Sequence, residues 1–258
     1  MCLVVLSHRI HPDYPVVLVG HRDEFHSRPT AAMGWWQDRP DVLAGRDLKA
    51  GGTWLGVARS GRWAVVTNFR QPGDPPRDAP SRGELVTDFL DSALPVRQAA
   101  PRLAARAAAY AGFTLLVSDG VDVACITNRP DTHTQVLGSG TYGLSNARLD
   151  DPWPKVIRSR QRVAALLAKG PPDPAGLFGA LTDRAQADEA DLPDTGLGLA
   201  VERSLSPAFI VGNDYGTRSA TVLTVDREGT MRIMERRFAA GGVVTGRSAF
   251  AFNTIRPG

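Results

Sequence analysis

The chain has 258 residues, 43% of them hydrophobic, and a formal net charge of +3, which is enough apolar material for one large domain with a well-buried core. No apolar run approaches the roughly 20 residues that cross a bilayer, and the N-terminus lacks a charged stretch followed by an apolar one, so an integral membrane protein and a secreted one are both disfavoured. Of the 30 basic residues only Lys49, Lys155 and Lys169 are lysines, and the arginines are interleaved with 27 acids along the chain, which argues against a phosphate-tracking stripe and hence against nucleic-acid binding.

The first elements are short and rich in valine. Residues 2–7 and 15–20 read as a β-hairpin around a turn-prone 8–14 segment, and antiparallel pairing would return His21, Arg22 and Asp23 to the side of Cys2. A second strand pair is expected at 53–58 and 62–67, ending on Asn68. The proline-rich string QPGDPPRDAP (71–80) reads as a loop, because its prolines lack backbone donors. Ser81-x-x-Glu84 is a capping box that opens a helix to about residue 94, and an alanine-rich helix is expected over 98–110. Strands return at 113–118, 121–127 and 134–137. The clearest helix is 153–169, with Pro154 in its first turn and an apolar stripe of Val156, Ile157, Val163, Leu166 and Leu167. Loop and short helix fill 171–199, and a hairpin of strands 217–226 and 231–238 follows. Strands at both ends with helices between them predict one α+β layered domain over 1–258.

Chemistry concentrates at Cys2. With Cys125 it makes up the whole cysteine content, too few for a disulfide framework or a zinc site, and a reduced cytoplasmic setting is the default expectation. Removal of Met1 would leave one residue with both a thiol and an α-amine. The amine titrates near about 7.7–8.0 and can act as a base, while the thiol starts at about 8.5 and falls beside a cation. Such a nucleophile needs a carboxylate to fix the amine, donors for an oxyanion and a cation to favour thiolate; Asp23, Asn68 and Arg22 are placed for those tasks. The competing reading is that Cys2 is the first residue of a buried strand. His8-x-x-His11 lacks a third metal ligand, Gly138-Ser139-Gly140 and Gly51-Gly52 read as turns, and Trp35, Trp36 and Trp54 read as core or loop anchors.

The strings GHRDEFHSRPT, AGRD, GGTWLG, GRWAVVTNFR, SRGELVTDFL, GLSNARLDDPWPKV and YGTRSATVL, in this order, resemble the NRDE or transport and Golgi organization protein 2 family, from Met1 to about Phe238. That family is related to the N-terminal nucleophile (Ntn) hydrolases, so the resemblance implies an αββα sandwich of two stacked antiparallel sheets flanked by helices. Motif by motif it implies a site of Cys2, Arg22, Asp23, Asn68, Asn146 and Arg218. His21 stands where the family motif has asparagine.

Three functions follow from the resemblance. The first is a cysteine Ntn amidohydrolase or acyltransferase acting on a small amide or thioester, with no cofactor required. The second is a non-catalytic haem-trafficking protein using the same cleft, with His21, His26 or Cys2 as iron ligands. The third is an acyl-coenzyme A binder in which the HRDEF segment and nearby arginines hold phosphate.

Overall fold

A computed structural model of the chain describes residues 2–73 and 78–255. Met1 and the middle of the proline-rich string, residues 74–77, lie outside the described residues, and so does the expected processing of Met1.

The chain opens with β1 (Cys2–His8) and β2 (Val16–Phe25), a hairpin in the expected antiparallel register with Cys2 opposite Arg22 and His8 opposite Val16. The second strand is longer than its valine run: His21 and Arg22 continue it between β1 and a later strand, and Asp23, Glu24 and Phe25 extend it along that later strand alone. Next come β3 (Thr30–Trp35), β4 (Val42–Asp47), β5 (Leu55–Ala58) and β6 (Trp63–Asn68). Helices α1 (Gly83–Asp91) and α2 (Val96–Ala105) follow, then β7 (Phe113–Ser118), β8 (Val123–Thr127), β9 (His133–Val136) and β10 (Gly140–Leu144). After α3 (Pro154–Leu167), α4 (Pro174–Ala180) and α5 (Leu199–Ser204), the chain closes with β11 (Tyr215–Val225), β12 (Thr230–Phe238) and β13 (Val244–Asn253).

Two antiparallel sheets result, one in the order β10-β1-β2-β11-β12-β13 and the other β3-β4-β5-β6-β7-β8-β9. Strand alternation sends successive side chains to opposite faces. Val4, Leu6, Leu18 and Leu223 of the first sheet therefore meet Leu43, Val57, Trp63 and Leu116 of the second in one buried layer. Leu3, Val5, Val17 and Val19 point the other way and pack under Val156, Val163 and Leu167 of α3 and Leu177 and Phe178 of α4. On the far side α1 and α2 cover the second sheet through Leu85, Phe89, Val96 and Leu103. The layers are αββα, as the family resemblance implied.

Several boundaries differ from the sequence reading for local reasons. Helix α1 starts at Gly83 with Arg82 at its N-cap, and the expected capping box does not form: Ser81 lies one residue too early, its Oγ accepts from the Gly83 amide at 3.3 Å, and the Glu84 amide bonds the Ser81 carbonyl oxygen instead. The expected 98–110 helix begins earlier, at Val96, and ends at Ala105, with a 3-10 turn (Ala107–Ala109) completing it. Ile157 of the expected stripe is exposed; Lys155 and Ser159 are buried on α3 instead. Strands β3, β4, β10 and β13 carried no clear signal. A register shift interrupts β3 between Ala31 and Gly34, glycines disguise β10 as a turn, and no residue of β13 is fully buried. His8 and His11 are both buried, but His11 Nδ1 accepts from the Asp13 amide at 3.1 Å, and no His/Cys/Asp/Glu group fit for a metal occurs among the described residues.

Candidate active site

Cys2 lies at the inner face of β1, beside its cross-strand partner Arg22, at a cleft of about 690 Å³. Cys2, Arg22, Asp23 and Glu24 form one wall; Trp54 and Asn68 of the other sheet's loops and strand end form the opposite one, and Ser81, Arg82 and Gly83 at the start of α1 close the side. That third wall depends on two glycines. A Cβ on Gly52 would lie 2.8 Å from the Gly83 carbonyl carbon, and one on Gly83 would lie 2.9 Å from the Thr53 amide nitrogen, so only glycines let the GGTW loop touch the helix start.

Burial pushes the Cys2 thiol above its usual value and the Asp23 carboxylate adds to that, while the Arg22 cation and the backbone N–H of Asp23 act in the other direction. Its surroundings thus favour the thiol over the thiolate. Arg22 is itself buried and held on several sides. Its guanidinium carbon is 4.5 Å from the Trp54 ring centroid, its Nη1 is 3.3 Å from Thr30 Oγ1, and Asp47 and Glu24 lie at 3.5 and 3.7 Å. Asp47 also accepts from Arg28 Nε at 2.6 Å. Burial would raise the Asp47 carboxyl, but the Arg28 hydrogen bond and the Ala50 and Lys49 amides outweigh it and hold the group below the usual carboxylate range.

Asp23 is on β2 next to Arg22. Its Oδ1 accepts from Thr217 Oγ1 at 2.7 Å, and its carbonyl oxygen accepts from the Tyr215 hydroxyl at 3.0 Å. Asn68, at the end of β6, borders the cleft. Asn146 sits behind it: its Nδ2 donates to the Asn68 carbonyl oxygen at 3.0 Å, and its own carbonyl oxygen accepts from the Arg70 amide at 2.7 Å. The neighbouring Ser145 Oγ donates to the Cys2 carbonyl oxygen at 3.0 Å, fastening β10 to the residue that carries the thiol. Arg218 occupies a bulge in β11 and donates to the Phe25 and Arg28 carbonyl oxygens at 2.9 and 2.8 Å, bracing the turn after β2 rather than lining the cleft.

Cys2, Arg22, Asp23 and Asn68 are thus brought to one cleft, with Asn146 and Arg218 in contact with its supports. His21 and His26 are not part of its wall. One residue along from Arg22, His21 turns to the opposite face of β2, where its Nδ1 is 3.0 Å from the Ala208 carbonyl oxygen and its ring meets Phe209 edge-on.

Sequence reading took Trp54 as a core or loop anchor and gave no role to Arg82 or Lys155, although each of the three falls inside a quoted motif. Arg82 donates to the Gly112 carbonyl oxygen at 3.0 Å; burial draws its guanidinium below the usual value, and Cys2 and Glu24 are near enough to oppose that. Lys155 is buried on α3, with its Nζ donating to the Leu205 carbonyl oxygen at 2.8 Å, and both Asp23 and Cys2 act on its charge.

Two antiparallel sheets stacked under helices on both sides, with a cysteine of the first strand at the mouth of a cleft, define a protein of the Ntn-hydrolase fold. Solved structures agree on the fold. An N-acylethanolamine-hydrolyzing acid amidase ortholog from Caenorhabditis elegans superposes with a TM-score of 0.51 at 11% identity, over 86% of this chain and 92% of that one. A mutant conjugated bile acid hydrolase from Clostridium perfringens gives 0.55 at 9% identity, over 98% and 92%. The chain belongs to the Transport and Golgi organisation 2 family, whose profile matches residues 1–240. It is 35% identical to the Transport and Golgi organization protein 2 homolog of Bos taurus and 34% identical to that of Homo sapiens, each over 92% of both chains. Identity to the Drosophila melanogaster protein is 27% over 91% of both.

Proposed function

We propose that the chain is a cysteine Ntn hydrolase or acyltransferase whose nucleophile is Cys2, freed by removal of Met1, and whose substrate is the amide or thioester of a small molecule. The observation that carries this reading is the pairing of Cys2 with Arg22 and Asp23 at a cleft bordered across the gap by Asn68. The α-amine of Cys2, fixed by Asp23, takes the thiol proton as sulfur attacks the carbonyl carbon. Asn68 supplies a donor for the oxyanion, with Asn146 holding Asn68 in place. Collapse of the tetrahedral intermediate expels the amine or thiol, which takes the proton back, and leaves an acyl thioester on Cys2. Water, or a second nucleophile in a transferase, then releases the acyl group. The amidase and bile acid hydrolase folds described above are consistent with such chemistry, although a shared fold alone is weak support for it.

Non-catalytic binding of haem or acyl-coenzyme A in the same cleft finds less support, since His21 and His26 stand away from it, and Arg22 and Arg28 of its wall are already paired with Glu24 and Asp47. The test is intact mass and an N-terminal peptide map of the purified protein, followed by turnover of a panel of acyl-coenzyme A thioesters and N-acyl amides. Processed Cys2 and turnover that falls at least 10³-fold in Cys2→Ala, but not in Cys125→Ala, are expected. Retained Met1, or unchanged turnover in Cys2→Ala, would remove the proposed nucleophile.

A further inference from the structure

Among the described residues four cations border the Cys2 cleft: Arg22, Arg28, Lys49 and Arg82. Arg22 and Arg28 share Glu24 and Asp47 between them, at 2.6 to 3.9 Å, and Lys49 is exposed to water and salt. Arg82 differs from all three. It is half-buried at the start of α1, its Nη1 donates to the Gly112 carbonyl oxygen at 3.0 Å, and no carboxylate among the described residues forms an ion pair with it. Its Nε and Nη2 carry no hydrogen bond and are not shut off from solvent.

The guanidinium faces the cleft. The ionisable groups that act on it, Cys2, Glu24 and Arg28, all belong to the cleft wall, and the Gly112 carbonyl that anchors it follows Ala111, another wall residue. The remaining acids of the wall are not its counterions: Asp23 accepts from Thr217, Glu84 lies near the Tyr110 hydroxyl, and Asp78 is exposed. The close approach of Gly52 to Gly83 fixes the backbone beside Arg82. Near the thiol, the cleft therefore holds one half-buried cation whose charge its own wall leaves unbalanced, and such a charge is costly until an anion meets it.

On the reading of Cys2 as the nucleophile, we propose that Arg82 determines specificity: the Nε–Nη2 edge of its guanidinium takes a carboxylate that the substrate carries close to the scissile carbonyl. The substrate class is then an amide or thioester with a carboxylate of its own. Guanidinium and carboxylate match in shape, two parallel N–H groups meeting two oxygens, and such charge-assisted bonds are stronger than neutral ones. A neutral compound of the same size would leave the fork to water.

The probes are iodoacetate and iodoacetamide, which alkylate a thiol by the same displacement of iodide, while only the first carries a carboxylate. The readout is the ratio of their rates at Cys2, followed by peptide map in the full chain and in Arg82→Gln. The wild-type ratio of iodoacetate to iodoacetamide is expected to exceed that of Arg82→Gln by at least about fivefold. A merely structural change, or a shift in the thiol itself, would slow both reagents together and leave the ratio where it was. An equal ratio in the two proteins overturns the proposal. A second measurement needs no substitution at Arg82. Phenylglyoxal, an arginine reagent, is applied to Cys2→Ala, where Arg82 is expected to react and to be protected by butyrate but not by butyramide. No reaction at Arg82, or no difference between butyrate and butyramide, also overturns the proposal, and this measurement decides the matter should Arg82→Gln fail to fold or Cys2 resist both alkylating reagents. Retained Met1, or turnover that survives in Cys2→Ala, would remove the nucleophile but leave both Arg82 readouts as they are, so the two failures are told apart.

Discussion

The guanidinium carbon of Arg22 lies 4.5 Å from the centroid of the Trp54 indole, so the cation beside Cys2 is held against an aromatic wall belonging to the other sheet. Trp54 is in turn fitted to a glycine: a Cβ on Gly45 would stand 2.5 Å from its Cη2. The glycine of the AGRD string is thereby explained by packing. Gly45→Ala should displace the indole and cost about 1–3 kcal/mol, the usual penalty for overpacking. Trp54→Leu should leave more of the stability intact but release Arg22, and the rate of Cys2 alkylation by iodoacetamide should then fall several-fold. Equal alkylation rates in Trp54→Leu and wild type would show that the stack does not position the cation.

Asn146 combines a backbone and a side-chain demand. Its φ is +57° and its amide group holds the Asn68 carbonyl oxygen. Asn146→Gly keeps the left-handed conformation and loses the bond, at about 1–3 kcal/mol. Asn146→Ala loses the bond and adds about 1–2 kcal/mol of backbone strain. Urea denaturation should therefore rank alanine below glycine at this position, and the reverse order would refute the strain argument.

Lys155 predicts a pH dependence. Burial, with the Arg70 cation, draws its amine down from 10.5 to about 8, against the pull of Asp23 and Cys2. An amine whose folded value is depressed burdens the folded state wherever it is charged, that is below about pH 8, and the burden lifts as pH climbs toward the unfolded value. Lys155→Met removes that burden. Its stability relative to wild type should be more favourable at pH 7 than at pH 10 by about 2–3 kcal/mol, at about 1.4 kcal/mol per unit. A difference that stays constant between urea curves at the two pH values would contradict the depressed amine.

Arg70 and Glu202 form an ion pair with both side chains buried, Arg70 lies over the Trp153 ring at 4.6 Å, and Thr195 Oγ1 donates to the same carboxylate. Removing one partner leaves the other charge buried without its counterion. Arg70→Met alone is expected to cost about 3–5 kcal/mol, and the double variant Arg70→Met with Glu202→Met should recover part of that loss. Additive losses in the double-mutant cycle would mean that the two charges are not coupled.

The local parts of this protein are legible in its residues alone. Valine-rich strands and a turn-prone 8–14 segment specify the first hairpin, which returns the 21–23 segment to the side of Cys2; the structure fixes the register with Arg22 opposite Cys2. Pro154 and the apolar spacing of α3 announce that helix, and the ordered motifs identify the family. What the sequence left dark were strands whose partners, rather than their composition, make them strands: β3 with its register shift, glycine-rich β10, and β13 with no buried face. Which distant groups meet depends on how the layers pack. Asn146 comes to Asn68 across 78 positions and Ser145 to Cys2 across 143, while Trp54 meets Arg22, and Lys155 comes near Asp23, through the packing of separate elements. Strand geometry also turns His21 away from the cleft, because adjacent residues of a strand face opposite sides. Hydrophobic periodicity records which face of each element is buried, but many stackings satisfy the same set of faces; only the closed sandwich selects which loops and strand ends share a cleft.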